Sequence, residues 1–284
     1  MSTTTTITAT EYIPRGPVEA EFLFYAPPAD NSAPYNYVQS PPPGVPQRNY
    51  QQVPHKVTVD DIRGHEAEYT LDGDAFQVLQ NVATATSYAT FDDDEAVQRI
   101  YYPEVEKLLL DNVPGSHKIV IFDHTIRRQG RNAPRQPVNQ AHVDQTDKAS
   151  FDRVKLHVPD AAEAEKLLAG RYRIINVWRP LNGTVVSLPL GFAAASSVDA
   201  EEDLVPVQHR YPNRTGETMG VKYNAAQRWK YLSGMETEER LLLKCADSKE
   251  GVGKRVPHSA FADPRTPEGA RPRESIEVRA LVFG

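Results

Sequence analysis

The chain has 284 residues, 39% of them apolar and 25% charged, and a formal net charge of -6, so it can bury a sizeable core and its size permits an enzyme. The mild acidity offers no basic surface for nucleic acid, and no run approaches the roughly 18 apolar residues that a membrane span demands. One cysteine, Cys245, excludes an intramolecular disulfide framework and a zinc site built on several thiolates; with a start that lacks the apolar core of a secretory signal, it points to a reducing, cytoplasmic location.

Residues 1–20 open Thr-rich and are expected to form a flexible N-terminus. The segment from Pro27 to Pro54 holds eight of the 23 prolines and reads as an extended arm, since proline fixes φ and cannot donate to a ladder. Tyr35, Tyr37 and Val38 inside it give the arm a reason to pack on the body. The runs "AEFLFYA" before it and "HKVTVDDI" after it read as strands, the second by alternation.

Around "DDDEAVQRIYYPEVEKLLLDNV" the period changes. Asp92 to Asp94 suit a helix start, and Val97, Ile100, Tyr101, Val105, Leu108 and Leu109 recur at helical spacing. Pro103 is expected to kink this helix or divide it in two. A further helix is predicted at "DAAEAEKLLAG", with Gly170 as its stop.

The rest is dominated by strand candidates: "HKIVIFDHTIRR", "AHVDQT", "RYRIINVWRPL", "VVSLPLGFAAA", "QRWKYLS", "RLLLKCADS" and "SIEVRALVF". Many short strands with a few early helices indicate a mainly β sandwich or barrel backed by helices. The "GVGK" at Gly251 to Lys254 lacks the spacing of a phosphate-binding loop.

His142 and Asp144 lie two residues apart, so on a strand both side chains leave the same face and can reach one ion. With eight histidines and 38 acids in the chain, about one such pair is expected by chance; the pair needs a third ligand, and His258 in "VPHSAF" is the candidate. Two neutral imidazoles and a carboxylate on one face of a metal leave positions open for a co-substrate and O₂. A carboxylate-bearing co-substrate calls for a fixed cation, and "RPRESIEVRALVF" offers Arg273 with Ser275 on the same strand face; Arg271 and Arg279 remain alternatives. Asn176, alone in an apolar strand, needs a partner and could hold the other end of the co-substrate or make a structural hydrogen bond. Arg127, Arg128 and Arg179 could bind an anionic substrate. Trp229 and Tyr231 could line the mouth or simply pack.

Taken in this order, the histidine–aspartate pair, the distal histidine and the arginine with its serine resemble the Fe(II)/2-oxoglutarate-dependent dioxygenases. The stretches "FDHTIRR", "AHVDQT", "NVWRPL", "VPHSAF" and "RESIEVRALVF" look more closely like the fungal branch that includes the gibberellin desaturase and AsaB or cephem-methoxylase-like hydroxylases. The resemblance runs from about residue 118 to the C-terminus. It implies a double-stranded β-helix (jelly-roll, cupin-like) barrel, as a single catalytic domain over residues 21–284. It further implies His142, Asp144 and His258 as iron ligands, Arg273 and Ser275 on 2-oxoglutarate, and O₂ as oxidant. The expected activity is C–H abstraction on a small molecule of secondary metabolism, leading to hydroxylation, desaturation or cyclisation. The interval from His258 to Arg273 is longer than in plant-type enzymes, which keeps Arg271 and Arg279 in contention. Competing readings are a metal-dependent jelly-roll isomerase or O₂-only oxygenase, a zinc hydrolase, and a non-catalytic binding barrel.

Overall fold

The structure, a computed structural model, describes residues 12–130 and 133–284. Among the described residues the strands are β1 (Val18–Ala26), β2 (Tyr35–Tyr37), β3 (Gln51–Asp61), β4 (Phe76–Leu79), β5 (Lys118–Arg128), β6 (His142–Val143), β7 (Tyr172–Pro180), β8 (Leu190–Ala193), β9 (Leu204–Arg210), β10 (Thr215–Val221), β11 (Trp229–Tyr231), β12 (Arg240–Asp247), β13 (His258–Ala260) and β14 (Glu274–Phe283). The helices are α1 (Leu71–Asp74), α2 (Asp94–Ala96), α3 (Tyr102–Asn112), α4 (Asp147–His157) and α5 (Ala161–Leu168).

Nine strands form one sheet in the order β1-β3-β11-β8-β13-β6-β10-β9-β2, and five form the other, β4-β12-β7-β14-β5. The two sheets make a double-stranded β-helix. Phe22, Phe24, Val143 and Trp229 of the large sheet meet Ile174, Leu281 and Phe283 of the small one in a shared core. The opposite face of the small sheet is also buried: Ile175, Val177, Ile276 and Val278 pack on Val97, Tyr101, Val105 and Leu109. Burial on both faces explains why "RIINVW" and "SIEVRALVF" read as near-continuous apolar runs. Trp229 and Tyr231 pack in the core, with Trp229 edge-on to Phe22 at 4.6 Å between ring centroids.

The helical region departs from expectation at Pro103. α2 and α3 are joined by a π-helical turn over Val97–Tyr101, in which the Tyr102 N–H reaches back to the Val97 carbonyl. Proline has no N–H to continue the regular ladder, and the widened turn absorbs the defect without dividing the helix. The helix at Ala161–Leu168 matches its prediction, and the Gly170 N–H bonds the Leu167 carbonyl just past its end.

Within the segment expected to be flexible, residues 1–11 lie outside the described residues; Arg15 donates to the Ser233 carbonyl at 3.1 Å, Gly16 to Asp61 at 2.8 Å, and β1 begins at Val18. In the Pro-rich segment β2 pairs parallel with β9, and Arg210 covers the rings of Tyr35 and Tyr37 at 4.1 and 5.5 Å. Val38 stays exposed. β3 starts at Gln51, inside the expected arm. No helix among the described residues is long and apolar enough to cross a membrane.

Candidate active site

β6 is only two residues long, yet its place between β13 and β10 decides the site. His258 is the antiparallel partner of His142, and directly opposed residues project their side chains together. The two rings stand 4.4 Å apart between centroids. Asp144, on the face of His142, completes a group whose ligand atoms all lie within 4.8 Å of one another.

Each member of this group is held from behind. His142 Nδ1 is 2.7 Å from the Gln140 carbonyl and His258 Nδ1 is 3.1 Å from the Val256 carbonyl. A ring N–H donated to a carbonyl fixes the tautomer and leaves Nε2 as the free donor atom. Burial, then the neighbouring His142, push His258 down to about 4, which keeps it neutral at neutral pH. Burial opposes ionisation of Asp144, but the hydrogen bond from His142 and the charges around it hold the carboxyl well below its usual range. His142 is itself raised: burial works against its charge and the Asp144 carboxylate outweighs it. The neutral His258 imidazole beside the ionised Asp144 carboxylate, with His142 able to give up its proton to a metal, is the donor set of a facial two-histidine, one-carboxylate centre.

Asn176 donates its amide to Asp144 at 2.7 Å. Arg279 approaches the same oxygen at 3.8 Å while gripping Asp123 at 2.6 and 2.9 Å.

Arg273, immediately before β14, and Ser275, Glu277 and Arg279 on the strand's inner face follow one another at alternate positions. Arg273 is 3% exposed and lines a narrow cavity together with His142, His258 and Trp178. Its guanidinium donates to the Leu188 carbonyl at 2.6 Å and lies over the Trp178 ring, while its Nε has no partner. Burial and the nearby Arg127 push it down to about 9. A buried cation without an ion-paired acid carries a desolvation cost that an incoming carboxylate would offset. Among the described residues no carboxylate lies within ion-pairing distance of it, so the observed residues fit the distal carboxylate of a dicarboxylic co-substrate. Arg271 is exposed and donates to the Asn182 carbonyl.

Of the three arginines expected to meet an anionic substrate, Arg127 lines this same narrow cavity. The other two do not reach it. Arg128 pairs with Glu274 at 2.7 Å and Asp92 at 2.5 Å, and Arg179 bonds Thr86 at 3.1 Å beneath the rings of Phe91 and Tyr101. Strand alternation puts both on the helix-covered face. His124 is satisfied by Tyr102 at 2.9 Å.

A larger cavity of about 290 Å³ opens on the other side of Asp144, between α4 and the β9–β10 hairpin. Its lining includes Arg279, His209 and Arg153. His209 lines this cavity and Glu277 the narrow one, and neither was a sequence candidate: His209 has no acid two residues on, and Glu277 resembles any strand-edge charge. Glu277 is raised by burial and by Asp144.

Residues 22–283 match the family described as "Oxidoreductase/YMDC permease-like domain". The chain is 37% identical to "Hydroxylase/desaturase poxK" of Penicillium oxalicum, over 95% of this chain and 92% of the relative. It is 32% identical to "Fe(II)/2-oxoglutarate-dependent dioxygenase nvfI" of Aspergillus novofumigatus, over 94% and 96%. Among solved structures, an "iron and alpha-ketoglutarate-dependent endoperoxidase NvfI" variant superposes with a TM-score of 0.87 at 30% identity, covering 96% of this chain and 99% of that one.

Proposed function

Because the chain belongs to the Fe(II)/2-oxoglutarate-dependent dioxygenases, in the branch of fungal hydroxylase/desaturases, we propose that His142, Asp144 and His258 hold its iron and that Arg273, with Ser275, receives the distal carboxylate of 2-oxoglutarate. The observation that carries this reading is the meeting of His142, Asp144 and His258 ligand atoms within 4.8 Å, beside a cavity that also holds the carboxylate-free Arg273.

Fe(II) with 2-oxoglutarate supplies, when bound, O₂-dependent C–H abstraction with release of succinate and CO₂, the entry to hydroxylation, desaturation or oxidative cyclisation of a small molecule. The chain's own part is positional. The Gln140 and Val256 carbonyls aim the two imidazoles, and Asn176 and Arg279 restrain the carboxylate. Arg273 fixes the co-substrate's far end, which sets where its keto acid end can lie. Burial of Asn176, His258 and Arg273, with His142, Asp144 and Arg279 half-buried, limits competing water. The buried arginine favours this reading over an O₂-only oxygenase or a zinc hydrolase, neither of which gives Arg273 a counter-charge. The buried, free Cys245 suits a reducing cytoplasm.

Anaerobic addition of Fe(II) and 2-oxoglutarate should produce a weak visible charge-transfer band, absent in Asp144→Ala. Metal binding without such a band in the wild type would remove 2-oxoglutarate from the reading.

A further inference from the structure

The cavity beside Asp144 carries charge that its own walls do not neutralise. Lys148 is matched by Asp152 at 2.6 Å and Arg279 by Asp123 at 2.6 and 2.9 Å. Glu217 accepts the Thr146 hydroxyl at 2.8 Å. Arg153, half-buried on α4, makes no ion pair among the described residues. Its guanidinium lies 4.9 Å over the Phe122 ring, and its closest polar neighbour is His157 Nε2 at 3.3 Å. His157 stacks on the same ring at 5.2 Å between centroids, one helical turn further along α4. Phe122 thus backs the guanidinium, His157 meets one of its amino groups, and Arg153 lines the cavity with its other donors unpaired by any acid among the described residues. Across the cavity Arg214 lies over Tyr211 at 3.9 Å, also without an ion pair among the described residues.

We propose that this cavity receives the substrate and that Arg153 binds a carboxylate on it, so that the substrate class is a small carboxylic acid oxidised at a carbon facing Asp144. This rests on the iron and 2-oxoglutarate reading above, which occupies the narrow cavity with Arg273 and leaves the wider one for the substrate. A single arginine fork matches a planar carboxylate through two parallel N–H bonds. An amide of the same skeleton leaves the charge unmatched. The 290 Å³ of space is of the size that a small-molecule ligand fills.

The test uses protein loaded anaerobically with Fe(II) and saturating 2-oxoglutarate, with 4-fluorobenzoate and 4-fluorobenzamide as probes read by fluorine NMR line broadening. The wild type should bind the benzoate at least about tenfold more tightly than the amide. Arg153→Met, which keeps the apolar stem on Phe122, should abolish that preference, and Arg153→Lys should retain part of it. Equal binding of acid and amide by the wild type, or an undiminished preference in Arg153→Met, overturns the proposal. The 2-oxoglutarate band of Arg153→Met should match the wild type; its loss would put Arg153 on the co-substrate and also overturn the proposal. A wild type lacking the band fails the assignment of Arg273, whereas a lost acid preference with the band intact fails that of Arg153.

Discussion

Asn176 is fully buried in an apolar strand, and its amide nitrogen spends its hydrogen bond on Asp144 while its carbonyl oxygen has no partner. Such a residue is kept for what it orients. Asn176→Ala should lower Fe(II) affinity about 10- to 100-fold, the usual cost of losing a ligand's supporting hydrogen bond, in an anaerobic metal titration. Arg273 gives the opposite balance between stability and binding. Replacing an unmatched buried cation with an apolar side chain of similar length is commonly neutral or stabilising. Arg273→Met should therefore keep its Tm without 2-oxoglutarate and lose the rise in Tm that 2-oxoglutarate gives the wild type. A Tm that falls without ligand would make Arg273 structural. In the sequence Asn176 stood out as a lone polar residue in an apolar strand, and Arg273 as an arginine two residues before Ser275. Their partners were not visible, because Asp144 lies 32 residues from Asn176 in the chain.

Two elements that build the substrate cavity left little trace in the sequence. α4 buries only Ser150 and Val154, so it presents no apolar stripe to recognise. Asp147, which reads as a turn residue, stands in its first turn and pairs with Arg255. β9 carries Pro206, which argues against a ladder position; Pro54 of β3 and Pro206 of β9 each pair on one side only, because the short β11 and β2 do not reach them on the other. By contrast β7, β12 and β14 were legible, since their side chains are buried deeply enough to demand apolar, β-branched residues; β5, mostly half-buried, was legible from its run of Ile119 to Phe122. α4 starts from a Thr146 cap whose hydroxyl accepts the Ala149 N–H at 2.9 Å. Thr146→Ala should cost about 1 kcal/mol and raise hydrogen exchange across Asp147–His157, the helix that carries Arg153. Unchanged exchange there would show that packing alone fixes α4.

At the scale of the whole molecule, α1 is tied to the small sheet by a charged cluster. Arg171 reaches Asp72 at 2.5 Å and Asp247 at 2.6 Å, and the fully buried Lys244 adds Asp247 at 2.6 Å. The hydrogen bond from Arg171 leads in pulling Asp72 down to about 2. A carboxylate whose folded pKa lies below its unfolded value of about 3.9 stabilises the fold above that value. That contribution is lost as pH falls towards the folded pKa. Urea-determined stability should therefore decline between about pH 4 and 2, with a shallower decline in Asp72→Asn. The same slope in both proteins would exclude Asp72 as its source.

The sequence by itself determined the chemistry available. Histidine and aspartate at strand spacing, a distal histidine, an arginine and serine of one parity, and the apolar runs of a two-sheet barrel all follow from residue type and a period of two. Only the tertiary structure decided which of these groups meet. Cross-strand register sets His258 against His142, and alternation turns Arg128 and Arg179 away while leaving Arg273 and Arg127 inside. The cavity beside Asp144 belongs to a helix and a hairpin that only folding brings together. The physical reason is that a strand fixes which face a side chain leaves from, whereas the partner on that face is chosen by sheet order and register, which are properties of the whole chain.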